Sequence, residues 1–198
     1  MELAASGEQL AQLETFVDLL LKWNRVYNLT AIRDRQSMLA YHVLDSLAVL
    51  PWLPASGVCL DVGTGAGLPG IPLAVMRPDL DWVLLDSNGK KTRFVQQVVA
   101  TLGLRQVTVV RTRVEDYHPG FEIAAVISRA YAALADFVAT VAHLSHRKTL
   151  LISMKTSMAD AEIEGLDPAA FTLQSIPLKV PGIAEARSLA IIRQTDTN

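Results

Sequence analysis

Apolar residues recur at three- and four-residue intervals through Leu10, Leu13, Phe16, Val17, Leu20 and Trp23, the spacing that stripes one face of an α-helix. Just before them, Ser6-Gly-Glu-Gln9 has the S-x-x-Q form of a capping box, so a helix is predicted to start there. A second helical pattern, Met38, Leu39, Val43, Leu47 and Leu50, stops at Pro51 and follows a polar connection containing Arg33, Asp34 and Arg35. From Val58 onward the texture changes. Short apolar runs, each long enough for a strand buried on both faces, alternate with helical segments.

These runs predict strands at Val58–Val62, Trp82–Leu85, Val107–Val110, Ala124–Ile127 and Thr149–Met154. Helices are expected at Pro69–Met76, Lys90–Leu102 and Ala132–Leu144, with Gly103 placed to end the second of them. The last portion breaks the rhythm: Phe171–Val180 and Arg187–Arg193 flank "PGIAEA" and predict a terminal hairpin. Such alternation implies an α/β fold of Rossmann-like type, a mostly parallel sheet covered by helices, here with an antiparallel C-terminal edge and preceded by N-terminal helices. One domain is expected, with residues 1–53 as a helical extension and residues 57–198 as the core.

Composition narrows the class. The 198 residues are 51% hydrophobic and 19% charged, enough to bury one substantial core. No apolar run approaches a membrane span, and "MELAASGEQLAQLE" lacks the basic leader and apolar centre of a signal sequence; a cytoplasmic protein is expected. The single cysteine, Cys59, lies within an apolar segment and reads as a small buried hydrophobe, leaving no disulfide or Cys-rich metal site. With net charge −2, any contact with nucleic acid must come from a local basic patch.

The segment "CLDVGTGAGLPGIPLAV" contains a literal G-x-G-x-x-G from Gly65 to Gly70. The strand before it ends at Val62, however, so the first turn glycine is Gly63 and the pattern runs Asp61-x-Gly63-x-Gly65-x-Gly67. A dinucleotide fingerprint counted from Gly63 would need glycine or alanine where Leu68 stands. Pro69 also removes a backbone donor beside the helix start, where a pyrophosphate requires N–H groups. A phosphate-free ligand such as S-adenosylmethionine suits this bend better. Asp86, at the end of "WVLLD", is placed to accept hydrogen bonds from ribose hydroxyls or, alternatively, to cap the helix beginning near Lys90. The third strand leads to "TRVED", where Val114 and Glu115 leave the sheet on the side of the adenine.

The segments "WNRVYNLT", "HVLDSL", "LDVGTGAGLPGIPLAVMRP", "LLDSNGKKTRF", "VEDY" and "VISRA" together resemble the ribosomal RNA small subunit methyltransferase G family, also called glucose-inhibited division protein B, from about Lys22 to Lys155. The resemblance implies a class I methyltransferase fold and transfer of a methyl group from S-adenosylmethionine to N7 of a guanine in 16S ribosomal RNA. It carries cofactor contacts to Gly63, Leu68, Val114, Glu115 and Arg129, with Asp86 at the ribose. Gly65 and Gly67 join them through the glycine bend. Tyr41 stands where the family usually has Arg, Asn88 where it often has Leu, and Thr156 where it has Gly.

Methylation at N7 needs no general base, because that nitrogen carries a lone pair and no proton. Alignment and exclusion of water remain as the main tasks, and the rim "SRAY" (Ser128–Tyr131), with Arg129, is expected to face cofactor and guanine. Lys90, Lys91, Arg93, Arg111 and Arg113 form a candidate RNA patch, and Lys155 a candidate phosphate contact. His143 and His146 have helical spacing but no carboxylate partner, so no metal is expected. His42 and Asp45 are read as structural, since no nucleophile accompanies them. Trp23 and Tyr27 offer base stacking or packing, and the place of Trp23 in the apolar stripe favours packing. A partner of 16S RNA or the small ribosomal subunit is expected, and nothing demands more than a monomer. Competing readings are a small-molecule methyltransferase, a non-catalytic nucleotide-binding module and, weakest, an NAD-dependent dehydrogenase.

Overall fold

The computed structural model describes residues 4–129, 133–156 and 165–195. Helix α1 (Gly7–Tyr27) begins with the expected capping box: Ser6 accepts from the Gln9 amide while the Gln9 side chain accepts from the Ser6 amide. Asn28 closes it in the left-handed conformation, φ 50°, which asparagine tolerates better than most residues. The second helical region is composite. A turn of α-helix, α2 (Arg35–Met38), capped by Asp34, passes into a π-helical segment (Leu39–Leu44), then α3 (Asp45–Leu47) and a 3-10 turn at Leu50–Trp52. The expected stop at Pro51 is therefore a change of helix type.

Five parallel strands follow: β1 (Val58–Val62), β2 (Asp81–Leu85), β3 (Val107–Val110), β4 (Ile123–Ser128) and β5 (Leu150–Lys155). Between them lie α4 (Gly70–Met76), α5 (Gly89–Leu102) and α6 (Leu134–Val141), the last continued by a 3-10 turn through Leu144. The expected helix start at Ala132 lies outside the described residues. The hairpin β6 (Phe171–Leu178) and β7 (Arg187–Gln194) closes the chain. The sheet order is β3-β2-β1-β4-β5-β7-β6, with β7 antiparallel to both neighbours.

The strands are nearly continuous apolar runs because helices cover both faces. One core joins Phe16 and Leu20 of α1 and Val43 of the π-helical segment to Cys59, Leu84, Ile127 and Ile152 of the sheet. The other packs Phe137 and Val141 of α6 against Leu60, Val62 and Val126. Burial pushes the Cys59 thiol up to about 12, so it stays protonated and inert. The order of connections reverses between β1 and β4, and in open sheets of this kind ligands gather at that switch, outside the carboxyl ends of the strands.

Candidate functional site

The carboxyl ends of β1, β2 and β3 are tied together by the backbone. The amides of Gly63 and Thr64 both donate to the Leu85 carbonyl, at 2.8 and 3.0 Å, and the Asp86 amide donates to Val110 at 3.2 Å. The bend after β1 needs three left-handed residues, and all three are glycine: Gly63, Gly65 and Gly67, φ 70°, 59° and 79°. These tips surround a cavity of about 300 Å³ whose walls include Gly63, Asp86, Lys91, Arg113, Val114 and Glu115. Six sequence-predicted residues thus meet in one hollow.

Asp61 explains why that hollow is not a phosphate loop. Its carboxylate is fully buried and accepts from the Gly70 amide at 2.8 Å and the Thr64 hydroxyl at 2.6 Å. The start of α4 is thereby filled by the protein's own anion. Its other oxygen, Oδ1, has no hydrogen-bond partner, and burial pushes its pKa up to about 6. The sequence reading used Asp61 only to set the register of the loop; its role as internal anion was missed.

Asp86 is not the helix cap. Asn88 caps α5, accepting from the Lys90 and Lys91 amides, while Asp86 accepts from Gly65 N at 2.9 Å and Asn88 N at 2.7 Å. Each carboxylate oxygen receives one bond, which leaves lone pairs for two further donors. A Cβ on Gly65 would stand 3.9 Å from Lys91 Nζ, in open contact, whereas one on Gly67 would strike Ile71 at 2.6 Å. Gly65 is half-buried and tied to the wall through Asp86, whereas Gly67 and Leu68 are buried.

Arg129 lies apart from the cavity lining, at the end of β4. Its Nη1 donates to the Tyr41 carbonyl at 3.1 Å and stands 3.7 Å from Asp45 Oδ2. Asp45 also accepts from Arg187 Nε at 3.2 Å, so one buried carboxylate is shared by two guanidinium groups. Burial raises the Asp45 pKa and lowers that of Arg129. In the sequence Arg187 marks only the start of the last predicted strand; its contact with Asp45 was not foreseen. His42 does not pair with Asp45: its Nδ1–H donates to the same Tyr41 carbonyl at 3.1 Å and its Nε2 accepts from Thr30 Oγ1 at 2.8 Å. Desolvation brings it down to about 4, so the ring is neutral and structural. Of the rim expected at Ser128–Tyr131, Ala130 and Tyr131 lie outside the described residues.

Among the RNA candidates, Lys90, Arg93, Arg111 and Arg113 are exposed and Lys91 is half-buried. Lys155 is 8% exposed and makes interactions inside the protein, because the end of β5 is flanked by β7. His143 Nε2 donates to Val114 O at 3.1 Å, bracing the turn that carries Glu115.

The family model for rRNA small subunit methyltransferase G matches residues 9–190. The chain belongs to that family. It is similar to the ribosomal RNA small subunit methyltransferase G of Psychromonas ingrahamii, 43% identical over 97% of this chain and 92% of that protein. The Legionella pneumophila Philadelphia 1 protein of the same name is 45% identical over 91% and 85%. Among solved structures, a SAM-dependent methyltransferase from Aquifex aeolicus shares the fold, with TM-score 0.58, 17% identity, and 80% and 92% of the two chains covered. An rRNA methylase from Streptococcus thermophilus does so with TM-score 0.55, 18% identity, and 77% and 94% covered. Two departures from the usual methyltransferase G pattern have local partners here. The Tyr41 hydroxyl donates to Glu185 Oε2 at 3.0 Å beneath the Arg187 guanidinium, and Asn88 supplies the α5 cap.

Proposed function

We propose that this chain transfers a methyl group from S-adenosylmethionine to N7 of a guanine in 16S ribosomal RNA. The observation that carries the site assignment is the glycine bend whose helix start is already neutralised by Asp61, beside a cavity edged by Asp86 and Glu115. That arrangement suits a cationic nucleoside thioether and disfavours a pyrophosphate. Asp86 would accept the ribose hydroxyls, the Val114–Glu115 turn would wall the adenine, and Gly63, Gly65 and Gly67, with Leu68 behind them, would shape the bend against the methionine portion. The cofactor supplies an electrophilic methyl carbon on a sulfonium sulfur. The guanine N7 lone pair would form the new N–C bond as the S–C bond breaks, its electron pair staying on sulfur in the departing S-adenosylhomocysteine, so the protein needs no proton acceptor and its contribution is alignment and exclusion of water. Arg129, held by the Tyr41 carbonyl and Asp45, would form the acceptor-side rim.

The test offers radiolabelled methyl donor with small ribosomal subunits, deproteinised 16S RNA and small-molecule acceptors. Label is expected in 16S RNA, free or within the subunit; label confined to small acceptors would sink the proposal. In the same assay Arg129→Ala is expected to lose about tenfold in methylation efficiency, the cost of one charge-assisted contact. Unchanged methylation and unchanged S-adenosylhomocysteine affinity would remove Arg129 from the site.

Lys90, Lys91, Arg93, Arg111 and Arg113 would meet RNA phosphates, acting as a cationic approach to a monomeric cytoplasmic enzyme. Between Ser87 and Val114 the chain has six basic residues and no carboxylate, which gives the local field its sign despite net charge −2. RNA affinity is therefore expected to fall as salt rises, and Arg93→Gln should reduce the log–log slope by about 0.7. A slope identical to that of the wild type would take Arg93 out of the patch.

A further inference from the structure

Away from the adenosine cavity, a second hollow of about 480 Å³ lies between α1 and α5, lined by Leu19, Lys22, Trp23, Val26, Tyr27 and Gln97. Its apolar surface stands in solvent: Val26 is 70% exposed and Tyr27 45%. The Trp23 ring is fixed from within by Phe94, centroids 5.6 Å apart, and Tyr27 leans on Trp23 at 5.2 Å with an interplanar angle of 33°. Trp23 does pack, as its place in the apolar stripe predicts. Tyr27 does not follow it into the core. Together they make a preformed aromatic wedge, and a partner meeting it would lose little side-chain freedom on the protein's side.

The charges around the wedge select its occupant. Lys22 lines it, and the lining positions of α1 follow helical spacing through 19, 22, 23, 26 and 27 without an acid. The neighbouring carboxylate of α1, Asp18, is paired with Arg35. On α5, Lys90, Arg93 and Gln97 share one face at three- and four-residue intervals. That helix holds no carboxylate at all. Gln97 is six residues from Lys91, which lines the adenosine cavity, so the two hollows draw wall residues from points roughly 9 Å apart along the α5 axis, on different faces of the helix. Aromatic faces beside a cationic track are what single-stranded nucleic acid binds, with bases on the rings and phosphates on the cations.

We propose that this groove holds an unpaired base of the RNA substrate against Tyr27 and Trp23, with Lys22 and Arg93 on its phosphates, and so tethers the RNA beside the adenosine cavity. The inference rests on the RNA-methylation reading of that cavity. The test measures methylation kinetics of the full chain on deproteinised 16S RNA and on small subunits for wild type, Tyr27→Ala, Tyr27→Phe and Lys22→Gln, with S-adenosylhomocysteine affinity as the control for folding. Tyr27→Ala is expected to raise the KM for deproteinised RNA by roughly five- to a hundredfold, the range of one base–aromatic stack, with kcat and cofactor affinity unchanged. Tyr27→Phe should restore the wild-type KM, and Lys22→Gln should lower the salt dependence. An unchanged KM for Tyr27→Ala, with wild type active on RNA, overturns the groove and leaves the methylation reading intact. A rise confined to assembled subunits assigns the groove to a ribosomal protein and also overturns it. Wild type inactive on both acceptors overturns the inference together with the reading beneath it.

Discussion

Gly70→Ala is expected to destabilise the fold by about 3–5 kcal/mol and to abolish cofactor binding under conditions where wild type binds. The added Cβ would stand 2.2 Å from Leu84 Cδ2 and 2.7 Å from Asp61 Oδ2. Neither neighbour can retreat: Leu84 and Asp61 are both fully buried, in adjacent strands paired in register. Relief requires α4 to move away from β1 and β2, which breaks the bond from the Gly70 amide to Asp61. Overpacking costs about 1–3 kcal/mol and an orphaned buried acceptor a comparable amount. For a fold whose whole margin is about 5–15 kcal/mol, such a loss lowers Tm by about 6–20 °C. Thermal unfolding and calorimetry with S-adenosylhomocysteine check it; a variant melting within a few degrees of wild type would mean that α4 does not need this close approach. Gly65→Ala is the control, because its Cβ has open contacts and only the left-handed backbone is strained.

The same comparison shows what the sequence could reveal. Strands buried on both faces announce themselves as apolar runs, so β1 and β3 were predicted to the residue. Predictions for β2, β4 and β5 missed Asp81, Ser128 and Lys155, whose polarity hides their place at the strand ends, while β4 also gains Ile123 and β5 starts one residue after the expected Thr149. Apolar spacing of three and four does not distinguish α from π winding, so the segment Leu39–Leu44 was invisible. Side chains at the three strand ends were legible because the topology fixes where those ends meet. The Asp45, Arg129 and Arg187 cluster was not, since it joins a helix, a strand end and the terminal hairpin across long stretches of chain. The burial of Lys155 was hidden for a related reason. A lysine after an apolar strand reads as the point where the chain reaches water, yet the antiparallel neighbour Ser188 on β7 keeps that position inside.

Asp61→Asn and His42→Gln are expected to tilt the pH dependence of stability in opposite directions. In the folded protein Asp61 rises from 3.8 to about 6. Folding therefore favours its protonated form, a contribution complete below about pH 4 and lost as pH rises through 6. Two units correspond to roughly 3 kcal/mol. His42 falls from 6.5 to about 4, so folding favours its neutral form. That contribution is complete above about pH 6.5 and lost, again by roughly 3 kcal/mol, as pH falls through 4. In wild type the two slopes oppose each other across one window and largely cancel. Replacing Asp61 by Asn removes the falling slope, so the variant should gain stability relative to wild type as pH increases from 4 to 6. Replacing His42 by Gln removes the rising slope, and its relative stability should improve as pH decreases from 6.5 to 4. Urea unfolding at several pH values measures both differences, and subtraction from wild type cancels groups common to all three proteins, Asp45 among them. Parallel pH curves for wild type and Asp61→Asn would show that Asp61 is ionised in the fold across this range. The anion at the start of α4 would then be permanent, supported by Arg129, whose charge favours the ionised form.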